Sequence, residues 1–249
     1  MDINNYHTKL KNNGIFYIKE YIKDKEVLVS LYQKVYDLIN NIDRDIDKEY
    51  PDFFVESKNS LNKSSVQLSK RSKTTLNFRG IAKNKINLKT YSYDNGFCDI
   101  INAELLFTDI HKLDLSFIKE ICKKIKLNFN DKNDLIYNIY YTESVQDTRT
   151  WHKDGEIYKF FIYLQDVELD NGPYSYIKNS NDQKIKLDKN KEITEDQINN
   201  ILQQYPYYQK KIYLGEKGDL IVSNQNGIHR GQPQSLNFKR IVLVIKLRN

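Results

Sequence analysis

The sequence predicts a mainly β protein with an α-helical N-terminal support, folded as a double-stranded β-helix barrel of the jelly-roll, cupin-like kind. Helical periodicity comes first along the chain, whereas the second half holds at least six short β-prone runs. Some of those runs place polar side chains among apolar ones, which is typical of a barrel whose interior holds a ligand. Helices followed by short strands therefore indicate a jelly roll supported by helices.

The first predicted elements belong to the helical support. Residues 14–22 predict a short strand, after which Asp24 is placed to cap a helix with apolar residues at helical spacing. A second helix is predicted to start at Asp114 or Ser116. Between the two helices, residues 51–90 are rich in Ser, Asn, Lys and Thr and predict a long polar insertion.

The second half alternates predicted strands with turns. The strands are expected at 135–141, at the segment carrying His152 and Asp154, and at 159–167, 174–177, 220–223 and 240 to the C-terminus. The run Asp170-Asn171-Gly172-Pro173 predicts a turn. Residues 179–213 predict a second polar insertion, with one helix capped by Thr194 and Gln197.

Length and composition limit the classes of protein. The chain has 249 residues and no internal repeat or linker rich in Pro, Gly or Ser, so residues 1–249 are predicted to form a single domain. Its net charge of +6 is interpreted as a solvated lysine surface rather than a nucleic-acid site. With no transmembrane-length apolar run and no signal-peptide layout at the start, a cytoplasmic location without membrane contact is expected. Cys98 and Cys122 are too few for a disulfide framework.

The segment 149–156 carries the strongest chemical signal. His152 and Asp154 flank a single residue, so on an extended strand their side chains point to the same face. An imidazole and a carboxylate supply two metal ligands, and His229 is the best candidate for a third. Two histidines and one carboxylate that leave other coordination positions free are the ligand set of non-haem Fe(II) oxygenases.

Arg240 extends this prediction to an organic cosubstrate. It follows His229 by 11 residues (240 − 229 = 11) and opens a strongly β-prone run. A guanidinium on a strand beside the metal strand is suited to a two-pronged contact with a dicarboxylic acid. Together with iron it suggests 2-oxoglutarate, while an arginine at the surface edge of a strand is the alternative.

Five motifs follow one another along the second half of the chain. They are Trp151-His152-Lys153-Asp154-Gly155, Asp170-Asn171-Gly172-Pro173, Gly218-Asp219, His229-Arg230-Gly231-Gln232-Pro233 and Arg240. With the strand at residues 14–18, this set resembles the phytanoyl-CoA dioxygenase family of Fe(II)- and 2-oxoglutarate-dependent oxygenases. The resemblance implies that His152, Asp154 and His229 bind Fe(II) and that Arg240 pairs with the far carboxylate of 2-oxoglutarate. Tyr158 resembles in position an aromatic residue of the cosubstrate pocket.

The resemblance also implies hydroxylation of a small-molecule substrate with release of succinate and CO2. The chain departs from the family pattern at residues 177–180, which lack a histidine, and at Arg230, so the family name is not taken as the substrate. Asn138 and Tyr140 share one face of a predicted strand, where they line a cavity or lie at a sheet edge. Asn138 is included among the candidate cosubstrate contacts.

Two functions from other classes stay open. In one, a jelly-roll enzyme binds a different divalent metal and does not use 2-oxoglutarate; in the other, the site is vestigial and the protein is a silent binding module. The basic residues of the 51–90 segment, Arg71 and Arg79 among them, are interpreted first as solvated surface. Their second interpretation is a contact with an anionic substrate group. The sequence makes no prediction of oligomeric state.

Overall fold

The computed structural model describes residues 1–40, 64–68, 75–78, 97–145, 149–155, 157–182, 184–187 and 191–247. The helices are α1 (Ile3–Asn13), α2 (Lys25–Asn40), α3 (Ser116–Ile125), α4 (Asp131–Asp134) and α5 (Glu195–Gln204). The strands are β1 (Ile15–Ile18), β2 (Ser64–Leu68), β3 (Thr75–Phe78), β4 (Phe97–Ile101), β5 (Leu135–Glu143), β6 (Tyr158–Tyr163), β7 (Tyr174–Lys178), β8 (Gln209–Tyr213), β9 (Leu220–Asn224), β10 (His229–Gly231) and β11 (Lys239–Leu247).

The two helices predicted to begin near Asp24 and at Asp114 or Ser116 are present, as α2 and α3. The Asp24 carboxylate accepts a hydrogen bond from the Val27 amide at 3.2 Å at the start of α2. The Asp114 carboxylate accepts one from the Ser116 amide at 3.0 Å at the start of α3. Helix α1 was not predicted, because Leu10 is its only buried residue and a single apolar position gives no periodicity.

Eight antiparallel strands form the large sheet, in the order β1-β9-β6-β11-β5-β4-β2-β3. Its strands alternate between two faces: on β6, Phe160 and Ile162 pack in the cluster that contains the helices, while Phe161 and Tyr163 face the other way. Strands β2 and β3 lie within the segment 51–90, which the sequence predicted as irregular. These strands were not predicted, because their composition is largely polar. Arg71 and Arg79, the candidate contacts for an anionic substrate group, lie outside the described residues.

The small sheet has the order β10-β7-β8. Strand β8 lies in the predicted insertion 179–213 and was missed because its residues are mostly exposed and show no burial alternation. The predicted strand at His152 and Asp154 is corrected: only Trp151 and His152 form bridges, each an isolated one. The His152 bridge pairs with His229, which places the motif beside the edge of β10.

The two sheets pack face to face. A cluster of buried apolar residues joins the large sheet to the small one, with the Phe161 and Tyr174 ring centroids 4.6 Å apart. Within the described ranges the sheets are separate hydrogen-bonded ladders, so the structure has the predicted jelly-roll class in an open, two-sheet form. In the described part of the chain, no helix combines the length and apolar character needed to cross a membrane.

Candidate metal centre

The pairing of two distant backbone segments brings the predicted histidines together. The His152 amide donates to the His229 carbonyl at 3.0 Å, and the His229 amide donates to the His152 carbonyl at 3.0 Å. Two residues after His152, the Asp154 amide donates to the Gln225 carbonyl at 3.0 Å. His152 and His229 are 77 positions apart in the sequence (229 − 152 = 77), and this backbone pairing holds them next to each other.

Three ligand side chains meet at this junction. His152 Nε2 lies 3.5 Å from Asp154 Oδ1, and His229 Nε2 lies 3.5 Å from Asp154 Oδ2. All three ligand atoms lie within 4.8 Å of one another. The three residues chosen from the sequence therefore form one group, with the two imidazoles on either side of the carboxylate.

Backbone carbonyls set the orientation of both imidazoles. His152 Nδ1 is 2.7 Å from the Thr150 carbonyl oxygen, and His229 Nδ1 is 2.9 Å from the Gly227 carbonyl oxygen. A carbonyl oxygen only accepts, so each Nδ1 carries the proton and each Nε2 keeps its lone pair. This is the arrangement in which an imidazole binds a metal through Nε2.

Burial keeps the two histidines neutral. Desolvation, followed by the neighbouring His229, lowers the pKa of His152 to about 2. Desolvation also lowers the pKa of His229 below its usual value, against the attraction of Asp154. Both rings are therefore in the neutral form, with a free Nε2 lone pair, that metal coordination needs.

Asp154 is held between two cations. Lys159 Nζ lies 2.7 Å from Oδ2 and Arg149 Nη1 lies 3.1 Å from Oδ1. Burial acts to raise the pKa of Asp154, but the attraction of the Lys159 ammonium outweighs it and lowers the pKa. The carboxylate is therefore ionised, and Arg149 is itself shared with Glu192 at 3.5 Å.

A cavity between the two sheets opens onto the ligand group. It encloses about 570 Å³, part of it continuous with solvent. Its walls are formed by Tyr140, His152, Asp154, Lys159, Phe161, Tyr163, Tyr174, Gln225, His229, Gly231, Arg240 and Val242. The mixture of apolar walls with a few polar groups is typical of a small-molecule site.

Arg240, the second residue of β11, lines this cavity. Its Nε is buried and has no hydrogen-bond partner, and no carboxylate of the described residues lies within ion-pair distance. A Cβ added to Gly231 would lie 3.5 Å from Arg240 Nη2, so the glycine leaves open space beside the guanidinium. Since a buried unpaired cation is costly, this group fits an anionic ligand.

The other two candidates from the sequence lie away from the cavity wall. Tyr158 alternates with Lys159 along β6 and packs against the helix-side cluster, so its ring is on the opposite face of the sheet. Asn138 is buried and donates to Asp99 Oδ1 at 2.5 Å. It lies two residues along β5 from Tyr140, which does line the cavity.

The sequence interpretation missed Lys159, Arg149 and Tyr174. The alternation along β6 puts Lys159 on the same face as Phe161 and Tyr163, but only the structure shows that this face turns toward the small sheet. Arg149 gave no comparable signal, because its contact with Asp154 depends on the turn between them.

Sequence comparison gives no relatives: no protein-family model matches the chain, and no curated protein sequence matches it. Structural comparison gives many. SnoK, a non-heme alpha-ketoglutarate-dependent carbocyclase from nogalamycin biosynthesis, superposes with a TM-score of 0.57 at 13% identity, over 97% of this chain and 82% of SnoK.

Two further solved structures have the same fold. The epimerase SnoN, in complex with Fe3+, alpha ketoglutarate and nogalamycin RO, gives a TM-score of 0.57 at 12% identity, over 99% of this chain and 83% of that one. EctD from S. alaskensis, with 2-oxoglutarate and 5-hydroxyectoine, gives a TM-score of 0.60 at 10% identity. The match covers 98% of this chain and 75% of EctD. The fold is the double-stranded β-helix, shared with SnoK, SnoN and EctD.

Proposed function

We propose that this protein is an Fe(II)- and 2-oxoglutarate-dependent dioxygenase that hydroxylates a small molecule and releases succinate and CO2. One observation carries the proposal: the His152, Asp154 and His229 group and the unpaired guanidinium of Arg240 lie on the walls of the same cavity. A metal ligand set or a buried arginine alone would be compatible with many functions. Their convergence on one small cavity is the arrangement that this chemistry needs.

The donor set fits Fe(II). Two neutral imidazole nitrogens and one ionised carboxylate are a combination that binds divalent iron and leaves further coordination positions for ligands. His152, Asp154 and His229 would hold the ion. The carbonyls of Thr150 and Gly227 would keep both rings oriented, because each accepts the Nδ1 proton.

The far side of the cavity fits a dicarboxylate. Arg240 would pair with the carboxylate of 2-oxoglutarate that is remote from the metal. The space beside Gly231 lets that carboxylate approach the guanidinium. Phe161 and Val242 supply apolar wall between the two polar ends and exclude water from the bound chain.

Bound Fe(II) and 2-oxoglutarate would together supply the oxidation of a substrate C–H bond by dioxygen. The chain's own contribution is geometric: it orients the ligand side chains, neutralises the cosubstrate and keeps the site dry. Hydroxylation is proposed because Asp154 is present as a ligand, and a related halogenase would have a small residue there to make room for halide. The motif order around Arg240 supports membership of the phytanoyl-CoA dioxygenase family.

Anaerobic titration tests this proposal. Protein freed of metal is titrated with Fe(II) and 2-oxoglutarate, and the weak visible charge-transfer band of the metal–cosubstrate chelate is followed. Wild type is expected to develop the band, Asp154→Ala to lose it and Arg240→Ala to need more 2-oxoglutarate. If wild type binds Fe(II) but never develops the band, a metal enzyme without 2-oxoglutarate replaces the proposal. If wild type does not bind Fe(II) at all, the proposal is replaced by the alternative that the protein is a catalytically silent binding module.

A further inference from the structure

Lys153 separates the candidate ligands His152 and Asp154 and faces away from the cavity that they line. It is 5% exposed, and its Nζ donates to the carbonyl oxygens of Ser180 and Ile185, at 3.2 Å each. A buried ammonium is costly unless it is hydrogen-bonded, so these two bonds stabilise one position of the side chain. Because both acceptors are backbone atoms, the bonds tie the main chain of the motif to the loop behind it.

Ser180 also contacts the segment that carries the third candidate ligand. The residue is fully buried, and its Oγ accepts from the Ile228 amide at 2.7 Å and donates to the Ile177 carbonyl at 2.6 Å. Ile228 directly precedes His229 in the sequence. The Ile177 amide donates to the Ile228 carbonyl at 2.9 Å, so the Ser180 hydroxyl adds to the pairing between β7 and the start of the His229 segment.

One residue is thus bonded to both ligand-bearing segments, through its carbonyl to Lys153 and through its hydroxyl to Ile228. This connection is separate from the direct backbone bridge between His152 and His229, which is an isolated one. A single bridge sets the distance between two segments more firmly than their relative orientation. A metal site needs both, because its ligands must be held to within roughly half an ångström.

We propose that Lys153 and Ser180 are positioning residues of the metal centre, which together hold the two ligand-bearing segments in one relative arrangement. Their side chains do not line the cavity, so they act through the ligands and not on the substrate. Ser180 and Ile185 lie in residues 179–213, which the sequence predicted as a polar insertion, and the proposal gives this part of the chain a role. The inference rests on the ligand group of the proposed function and does not depend on 2-oxoglutarate.

The charge of Lys153 gives the test a definite sign. Removing a positive charge from the neighbourhood of a divalent cation strengthens cation binding on Coulomb grounds. If Lys153 contributed only its charge, Lys153→Met would bind Co(II) more tightly than wild type. Loss of positioning predicts the reverse, a Kd for Co(II) that is about tenfold higher. Ser180→Ala should raise the Kd by a similar factor without a change of charge.

Titration of metal-free protein with Co(II), in the absence of 2-oxoglutarate, measures these effects. The visible absorption of the ion is followed, because its band positions depend on the arrangement of the ligands. Both variants are expected to shift the bands as well as weaken binding. The double variant should bind less than about a hundredfold more weakly than wild type, because the two changes break one connection.

Ser175→Ala is the matched control for the loss of a hydroxyl. Ser175 is as buried as Ser180, but its Oγ accepts from the Gln232 side chain at 2.9 Å and not from an amide next to a ligand. Its Kd for Co(II) should stay within about twofold of wild type, with unshifted bands. Circular dichroism verifies that each variant is folded.

Each failure has its own result. If wild type does not bind Co(II), the proposed metal centre fails and the inference fails with it. If wild type binds Co(II), and Lys153→Met and Ser180→Ala match its Kd and its spectrum, only the inference is overturned. An equal loss in Ser175→Ala would overturn it too, because any buried hydroxyl would then have the same effect. Should Lys153→Met not fold, Ser180→Ala decides.

Discussion

His152 and His229 exchange two backbone hydrogen bonds, each 3.0 Å long, across the edge of the small sheet. Their positions are therefore set by sheet pairing, and their Nε2 atoms are aimed by the carbonyls of Thr150 and Gly227. Backbone pairing and carbonyl contacts of the chain thus position both imidazoles. This pre-organisation means that changes to the site can be measured separately on metal binding and on folding.

Replacing Asp154 should affect stability as well as metal binding. Asp154→Asn leaves the partly buried cations Lys159 and Arg149 with one less counter-charge, so the metal-free protein should lose about 3 kcal/mol of unfolding free energy. Urea unfolding in the presence of a chelator measures this. Asp131→Asn, which breaks an exposed pair with Lys119, should cost at most about 1 kcal/mol. Equal losses in the two variants would show that Asp154 carries no special electrostatic role.

Replacing Arg240 should weaken cosubstrate binding alone. Arg240→Ala removes a charge-assisted contact of about 1.5 to 3 kcal/mol, so the KM for 2-oxoglutarate should rise by about tenfold or more. The affinity for Co(II), measured by titration without cosubstrate, should not change. Lys239→Ala is the control, because that ammonium lies 4.2 Å from the centre of the Tyr36 ring, on the helix side. Unchanged cosubstrate kinetics in Arg240→Ala would contradict the assignment.

Tyr140 and Tyr158 can be told apart by the same assay. Tyr140 lines the cavity, whereas Tyr158 lies on the other face of the large sheet. Tyr158→Phe should leave the KM for 2-oxoglutarate within about twofold of wild type, since it removes no group from the cavity. Tyr140→Phe should change either the cosubstrate or the substrate KM. A raised 2-oxoglutarate KM in Tyr158→Phe would restore the role that the sequence suggested for it.

Much of the fold followed from local patterns. The caps of α2 and α5, the start of α3 at Ser116, the alternation along β5 and the β-prone run of β11 depend on neighbouring residues and were predicted from them. Strand β8 and helix α1 were missed, because each buries too few apolar residues to show a period. Strands of that kind are defined by their partners in the sheet, which a single sequence does not reveal.

Some residues of the candidate site could likewise be predicted from the sequence, and others could not. The spacing of His152 and Asp154, and of His229 and Arg240, selected the residues that the fold brings around one cavity. Tyr158 was chosen by its distance along the chain from His152, and a shift of one residue along a strand reverses the face. Lys159, one position further, is on the cavity side. Which side of β6 faced the small sheet was decided by tertiary packing alone.

The hydrogen bond between Trp151, which precedes His152, and Glu195 of α5 gives a further prediction. The Trp151 indole is fully buried and its Nε1 donates to Glu195 Oε2 at 2.7 Å, in the first turn of α5. Trp151→Phe should lower stability by about 1 to 2 kcal/mol and weaken Co(II) binding, because His152 follows directly. Glu195→Gln keeps an acceptor and should be milder in both respects. Metal affinity that is the same in Trp151→Phe and wild type would show that α5 does not help to position His152.

The buried histidines make stability depend on pH in a definite direction. The pKa of His152 in the folded protein is lowered to about 2, so below the unfolded-state value of about 6.5 the unfolded chain binds more protons than the folded one. Stability is therefore fully present above about pH 6.5 and falls as the pH drops toward the folded-state value. From pH 7 to 5, His152 alone should remove about 2 kcal/mol from the unfolding free energy of metal-free protein. In urea unfolding across this range, the plot of unfolding free energy against pH should have a shallower slope for His152→Asn than for wild type. If wild type and His152→Asn had the same slope, His152 would have to titrate alike in the folded and unfolded chains, which its burial next to His229 opposes.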